Sequence, residues 1–115
     1  MYEYGRGVPQ DYETALNWYR KAGEQGYAWA QTNLGVMYEY GRGVPKDYVQ
    51  AHKWYNIAGA NGDETGRESR DIIEKRMTAG QIAQAQDMAR QWFASYASKG
   101  EDSAPQSPAI AGRFH

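Results

Sequence analysis

The stretch Met1-Tyr-Glu-Tyr-Gly-Arg-Gly-Val-Pro-Gln-Asp-Tyr12 returns 36 residues later as Met37-Tyr-Glu-Tyr-Gly-Arg-Gly-Val-Pro-Lys-Asp-Tyr48, with a single change in twelve positions. The same register continues beyond the stretch, and the further identical pairs are Ala15/Ala51, Trp18/Trp54, Tyr19/Tyr55, Ala22/Ala58, Gly23/Gly59 and Gly26/Gly62. A fixed period of roughly 20–50 residues is typical of solenoids, in which each unit buries its apolar face against its neighbours. The sequence therefore predicts a repeat protein.

The composition is that of one modest globular domain that lacks the marks of several functional classes. The chain has 115 residues, of which 14% are aromatic, and large rings supply much buried area in a short repeat protein. A net charge of −1 gives no electrostatic reason to expect a nucleic-acid partner. The absence of cysteine excludes disulfides and thiolate metal sites, and we expect neither a metal nor another cofactor.

The sequence shows no segment that would direct the chain into or across a membrane. No apolar run approaches the ~20 residues of a membrane span, and the first residues are aromatic and acidic rather than those of a signal peptide. We expect a soluble protein of the cytoplasm or periplasm. Residues 1–5 match residues 37–41, which form the end of a predicted helix, so we expect a truncated array that begins inside a unit.

Cap residues and helical spacing predict five helices and no strands. Asp11 and Asp47 are N-cap residues, Thr78 and Gln81 fit a capping box, and Gly41 stands where a helix ends in the left-handed conformation. The predicted helices are Asp11–Gly23, Tyr27–Tyr40, Asp47–Ala58, Asp63–Met77 and Thr78–Tyr96.

Small and large apolar residues alternate on the predicted helices, as a close helix–helix contact requires. The pairs Trp18-Tyr19 and Trp54-Tyr55 share a face with alanines and are expected in the core rather than as stacking platforms for bases or sugars. Gly35 is expected to let a neighbouring backbone approach. In the polar fourth helix only Ile72, Ile73 and the following Met77 are clearly buriable.

The predicted organisation is a repeat domain over residues 1–97 followed by a tail. Residues 1–26 form a partial repeat, residues 27–62 a full repeat, and residues 63–97 a degenerate C-terminal capping helix pair. A terminal unit is expected to be atypical and polar on its outer side. Residues 98–115 have no periodicity and are expected to be disordered.

The pattern Ala-x-Ala-Gln-x-x-Leu-Gly-x-Met-Tyr-x-x-Gly-x-Gly-Val-Pro-x-Asp-Tyr-x-x-Ala-x-x-Trp-Tyr, from Ala28 to Tyr55, resembles the Sel1-like repeat family. Residues 1–26 match its second half, and residues 76–86 are similar to the capping segment that follows such repeats. The resemblance implies a tetratricopeptide-like fold, an all-α right-handed superhelical solenoid of antiparallel helix pairs. It also implies an adaptor that holds partner proteins or peptides on its concave side.

The candidate catalytic residues have simpler structural interpretations. The Gly-Arg-Gly-Val-Pro loops match no phosphate-binding motif, and Arg42 is expected to be exposed or locally bonded. Acidic residues copied with the repeat share one environment, unlike a catalytic pair, so Glu39 and Asp47 are expected to be structural. His52 has no second ligand nearby and is expected to be partly exposed and non-functional.

One stripe on the second helix is the candidate partner-binding site. Trp29, Asn33, Val36 and Tyr40 are spaced i, i+4, i+7, i+11 and therefore share a flank. Aromatic rings supply contact area, and an asparagine can pair with an extended backbone through both a donor and an acceptor. The alternative is that this flank packs on the adjacent helix of the same type, which is favoured for Val36 and evenly balanced for Asn33 and Tyr40.

The function expected from these observations is non-catalytic protein–protein interaction. One alternative is an enzyme, either a hydrolase or an accessory subunit, because some cysteine-rich relatives have been described as β-lactamases. Those relatives are stapled by disulfides, and this chain has no cysteine. The other alternative is a structural module that forms a homo-oligomer through its N-terminal face, where Tyr12, Trp18 and Tyr19 would otherwise be exposed.

Overall fold

The computed structural model describes residues 11–102, with side chains to residue 98, and shows an all-α helical repeat fold with no strand in that range. The helices are α1 Tyr12–Glu24, α2 Ala28–Tyr40, α3 Tyr48–Ala60, α4 Glu64–Glu74 and α5 Ala79–Asp102. The five predicted helices are confirmed. Helix α5 extends to Asp102, beyond the boundary expected at residue 97. That boundary was placed where the apolar periodicity of the sequence stops, and the polar residues that follow are also helical. The predictions for residues 1–10 and 103–115 lie outside the described residues.

The helix starts are fixed by the cap residues that the sequence indicated. The Asp11 carboxylate accepts the Thr14 N–H at 3.0 Å, and the Asp47 carboxylate accepts the Gln50 N–H at 3.1 Å. Hydrogen bonds from the Thr14 side chain and N–H hold the pKa of Asp11 below its ordinary value.

The other two predicted end signals are also confirmed. Thr78 and Gln81 form a reciprocal capping box, with bonds of 2.9 and 3.1 Å. Gly41 ends α2 with φ 68°, a conformation that favours glycine. Each of these residues helps to pair backbone N–H or C=O groups that would otherwise lack a hydrogen-bond partner at the helix terminus.

Adjacent helix pairs are joined by one contact that recurs with the repeat. The buried Gln31 of α2 donates its Nε2–H to the carbonyl oxygen of Gly23 in α1, at 2.9 Å. One period later, Arg67 of α4 donates to the carbonyl oxygen of Gly59 in α3, at 2.8 Å. A Cβ at position 23 would lie 2.9 Å from Leu34 Cδ1. A side chain at position 23 would therefore require Leu34 to shift.

The core lies between these pairs and divides into two clusters. The larger cluster contains Leu16, Leu34, Met37, Trp54, Ile57 and Ala89, and the smaller one contains Ala51, Tyr55 and Ile73. The Tyr55 ring occupies the space beside Gly35, where an added Cβ would overlap it. The predicted approach of a neighbouring backbone is wrong in this respect, because a side-chain ring fills the space instead.

The two equivalent tryptophans differ in burial. Trp54 is 4% exposed, as predicted, and its ring lies between Gly23 of α1 and the Trp92 ring of α5, whose centroid is 6.1 Å away. Trp18 is 70% exposed, so its predicted core position is wrong. The reason is that Trp54 is covered by helices α1 and α5, whereas no helix of the described chain covers Trp18 in the same way.

Helix α5 packs principally on α3 and barely touches α4 within the described chain, which differs from the expected capping pair. It also reaches the turn between α1 and α2. The Trp92 indole N–H donates to the Glu24 carboxylate at 3.0 Å, and the Tyr96 hydroxyl donates to the carbonyl of Gln25 at 3.0 Å. Helix α5 thus links the first helix pair to the second.

Replacing Trp54 by Ala should destabilise the protein by about 3–5 kcal/mol, because it removes a buried ring and leaves a cavity between three helices. The matched control is Trp18→Ala, which should change the free energy of unfolding by about 0.5 kcal/mol or less. Urea denaturation of both variants followed by far-ultraviolet circular dichroism measures the difference. Equal midpoints for the two variants would contradict the core assignment.

Candidate functional site

The four predicted site residues all lie on α2 but are not equally accessible. Trp29 is 55% exposed and Tyr40 is 59% exposed. Asn33 is half-buried between them. Val36 is also half-buried and packs on the cluster that contains Ile73 of α4.

The exposed ring of Trp29 is held in place by two tyrosines. The Tyr19 ring meets it edge to face, with centroids 6.1 Å apart and an interplanar angle of 80°. The Tyr27 ring lies 6.3 Å away at 30°. Aromatic contacts of this kind restrict the ring, so Trp29 presents a large apolar surface whose orientation is already fixed.

Tyr40, at the other end of α2, is held by a cation. The Arg42 guanidinium lies 5.2 Å from the centre of the Tyr40 ring and 5.9 Å from that of the Tyr12 ring. These distances are within the range of cation–π attraction. The expectation that Arg42 is bonded locally is confirmed.

The Asn33 amide is available for recognition. Its side chain makes no hydrogen bond to another residue in the described part of the chain. A half-buried amide carries two donors and one acceptor that need partners. The donors and the acceptor of Asn33 therefore have no partner among the described residues.

The repeat period extends this site onto α4, which is in contact with α2. The positions that follow Trp29, Asn33, Val36 and Tyr40 by 36 residues are Thr65, Ser69, Ile72 and Arg76. Ile72 is 58% exposed, so its predicted burial is wrong, whereas Ile73 is 1% exposed. We call the exposed face formed by Trp29, Asn33, Tyr40, Ser69, Ile72 and Arg76 the A-helix surface. The sequence interpretation missed its α4 half, although the period itself maps these positions.

A buried hydrogen bond supports the A-helix surface from below. The Tyr55 hydroxyl donates to the buried Glu39 carboxylate at 2.6 Å. Burial, followed by the adjacent Glu39 carboxylate, raises the pKa of Tyr55 well above its ordinary value. The pair fixes α2 on α3, and Glu39 is structural, as predicted.

His52 is fully buried, so its predicted partial exposure is wrong. Its Nε2 lies 2.7 Å from a carboxylate oxygen of Glu74, which is partly exposed. Nδ1 has no hydrogen-bond partner in the described chain. Spacing along α3 could not reveal this pair, because the carboxylate comes from α4.

Two other clefts of the described chain contain no residue of the A-helix surface. A cleft of about 350 Å³ between α3 and α5 contains Lys53, whose pKa is lowered by burial. The neighbouring Glu24 carboxylate already accepts a hydrogen bond from the Trp92 indole N–H. A shallower groove of about 690 Å³ follows α1 beside Trp18 and Tyr27. Among the described residues no three acidic or histidine side chains are grouped as metal ligands.

The stacked antiparallel helix pairs with a 36-residue period define an α-solenoid whose accessible site is an aromatic and polar surface. The Sel1 repeat model matches residues 1–27 and 30–63, which is more than half of the chain. The chain therefore belongs to the Sel1 repeat family. Proteins built from this repeat generally serve as protein-interaction modules and are typically not enzymes.

A solved structure supports the same assignment. The chain is similar to c5321, a protective antigen present in uropathogenic Escherichia coli strains that displays an SLR fold. The two are 41% identical with a TM-score of 0.75, and the match covers 90% of this chain and 23% of that one. The chain thus spans about a quarter of the length of this relative. A comparison with curated proteins found no match.

Among the described residues, no helix is both long enough and apolar enough to cross a membrane.

The His52–Glu74 pair should respond unequally to removal of its two partners. His52→Leu restores the residue of the first unit, Leu16, and leaves a carboxylate that water can reach, so stability should change by about 1 kcal/mol or less. Glu74→Leu leaves the buried Nε2 without a partner and should cost about 1–3 kcal/mol. Chemical denaturation at neutral pH measures both values. A larger loss for His52→Leu would show that packing of the ring, rather than its hydrogen bond, governs this site.

Proposed function

We propose that the protein is a non-catalytic interaction module that binds a protein or peptide on the A-helix surface. The observation that carries this proposal is the pair of exposed, fixed rings of Trp29 and Tyr40, with the unpaired amide of Asn33 between them. Exposed aromatic residues that are held rigid dominate binding energy at protein interfaces, because they bury large areas at a small entropic cost.

The dimensions of the surface suit a short extended segment. Trp29 and Tyr40 are eleven positions apart on one helix, which corresponds to about 16 Å. An extended peptide covers that distance with about five residues. Asn33 lies closer to Trp29, where its amide can pair with the backbone of such a segment, and Ile72 of α4 is an exposed apolar side chain.

The enzyme alternative has less support. In the described chain the carboxylates of Glu39, Asp47 and Asp63 each accept a structural hydrogen bond, from Tyr55, Gln50 and Thr65 respectively. General acid–base chemistry needs a group that is free to meet a substrate proton. The A-helix surface offers contact area and hydrogen bonding instead.

Asn33→Ala should weaken a natural partner by about 1–3 kcal/mol, because it leaves polar groups of the partner unpaired in the interface. The partner is first captured on the immobilised protein, identified by mass spectrometry and purified, and its affinity is then measured by calorimetry. Asn17→Ala is the matched control, since Asn17 is exposed on α1 away from this surface. The melting temperature should be the same for both variants. Equal affinities would remove Asn33 from the site.

A second candidate function, self-association, is favoured by the exposure of Trp18. The equivalent Trp54 is buried by α1 and α5, so the repeat places an interior residue on the surface of α1. Tyr12 is also exposed, and Tyr19 is partly covered. Apolar surface of this kind is often covered by a second copy, and a two-fold pairing is the commonest closed arrangement.

Light scattering should therefore detect a dimer whose population rises with concentration. Trp18→Ser should shift the equilibrium toward the monomer by about tenfold or more, since a buried interfacial tryptophan contributes ~2 kcal/mol or more. Tyr40→Ser is the control, because it removes an exposed ring from the A-helix surface instead. A parent protein that remains monomeric at high concentration would exclude this candidate.

A further inference from the structure

One end of the helix pairs carries three cations, of which only Arg76 belongs to the A-helix surface. Helices α2 and α4 end there, and α1 and α3 begin there. We call this region the connector edge and define it by its three cations and three rings: Arg42, Lys46, Arg76, Tyr12, Tyr40 and Tyr48. The Arg42 guanidinium lies over the Tyr12 and Tyr40 rings, and the Lys46 ammonium lies 5.2 Å from the centre of the Tyr48 ring.

The connector loop fixes Arg42 in this position. Gly41 and Gly43 have φ values of 68° and 79°, which give the loop its tight turn. A Cβ at Gly43 would lie 2.9 Å from the backbone oxygen of Tyr12, so the loop rests directly on the start of α1. The backbone N of Lys46 lies 3.4 Å from the corresponding position at Gly41. The two cations are thus carried by a compact loop rather than by a loose one.

The cations of the connector edge have no acidic partner in the described part of the chain. No ion pair there involves Arg42, Lys46 or Arg76. The carboxylates at the same end, Asp11 and Asp47, already accept hydrogen bonds as N-caps. Among the described residues the edge therefore has positive charge with no ion-pair partner, although the chain as a whole has a net charge of −1.

The third cation extends the charge to the next unit. Met77, the residue after Arg76, packs against the smaller core cluster together with Tyr48, so Arg76 lies near the start of α3. Arg76 and Lys46 also hold the pKa of Tyr48 below its ordinary value. Arg42 thus lies beside the first tyrosine of α1, and Arg76 lies near the first tyrosine of α3. The three cations therefore lie in a row at one end of successive helix pairs.

A purely structural role explains only part of this arrangement. Cations near the C-terminal ends of α2 and α4 interact favourably with the helix dipoles. That role does not require tyrosines beneath the cations. Rings that hold a guanidinium in one orientation reduce the entropy lost when it forms two parallel bonds to a carboxylate.

We propose that the connector edge binds an acidic segment of the protein partner, whose carboxylates are taken by Arg42, Lys46 and Arg76. This inference rests on the proposed function, because Tyr40 belongs to both the A-helix surface and the connector edge. A segment that follows α2 from Trp29 to Tyr40 ends at Arg42. The acidic residues of the partner segment therefore lie at the end of the segment that meets Arg42.

The test uses fluorescein-labelled hexaglutamate as the probe and labelled hexaglutamine as the uncharged control peptide, with fluorescence anisotropy at low salt. Hexaglutamate should bind and hexaglutamine should not, and added salt should weaken the complex. The double variant Arg42→Gln/Arg76→Gln should lower the affinity by about tenfold, which corresponds to ~1.4 kcal/mol. The matched control Lys21→Gln/Arg90→Gln removes two cations of α1 and α5 and should change the affinity by less than about twofold.

Two further measurements separate binding from folding and from general attraction to anions. Lys46→Glu reverses one exposed charge without removing a guanidinium from the rings. It should weaken hexaglutamate while leaving the melting temperature unchanged. A labelled duplex DNA of equal charge should bind more weakly than hexaglutamate, because its phosphates do not match a row fixed for carboxylates.

Several outcomes would overturn the proposal. They are no binding of hexaglutamate, equal losses in the two double variants, full binding by Lys46→Glu, and equal or tighter binding of the DNA. The proposed function fails separately, when Asn33→Ala binds the natural partner as tightly as the parent does. If hexaglutamate does not bind the connector edge, the result expected for Asn33→Ala with the natural partner is not affected.

Discussion

The fold depends on a close approach of helices at a glycine, together with a hydrogen bond to the carbonyl oxygen of that glycine. Gln31 makes this bond to Gly23, and its side-chain oxygen accepts the Asn61 amide at 3.0 Å, so one buried side chain connects three consecutive helices. A buried amide that lost these partners would cost about 1–3 kcal/mol. The bond therefore sets the distance and the register of each helix pair at once. Arg67 forms the corresponding bond one unit later with a different side chain, which shows that the position requires a donor rather than a particular residue.

A second buried polar contact fixes the orientation of α2, the helix that carries most of the candidate site. The Tyr55 ring fills the space beside Gly35, and its hydroxyl is bound by Glu39 on the same helix. Because polar groups in the interior are satisfied internally, α2 cannot rotate without breaking them. The opposite face of α2 thereby gains a fixed orientation, and its exposed rings are held by neighbours on the surface as well. The rigidity of the candidate site comes from the core.

Short-range sequence signals predicted the helices and their ends, whereas contacts between distant segments could not be predicted from those signals. The cap residues, the glycine stop and the helical spacing act within a few positions, so Asp11, Asp47 and Gly41 were assigned correctly. The burial of Trp18 and Ile72 was predicted wrongly, because periodicity shows which residues share a face but not whether another helix covers it. His52 was misjudged for the same reason, since its carboxylate lies on another helix. For the candidate site, spacing located Trp29 and Tyr40 on one flank, but the contacts that fix their rings come from α1 and the connector.

The internal repeat keeps its packing residues from the first unit to the second, as in Gly23 and Gly59 or the caps Asp11 and Asp47. Tyr40 is also kept, since it is identical to Tyr4. From the second unit to the degenerate third, the equivalents of Trp29, Asn33 and Tyr40 change to Thr65, Ser69 and Arg76. The second unit therefore carries aromatic and amide groups on α2, whereas the third carries Ser69 and Ile72 on α4 and a cation just after that helix ends. If a partner lies across both helices, as proposed, we expect recognition in one direction, because reversing the partner would place its groups against the wrong unit.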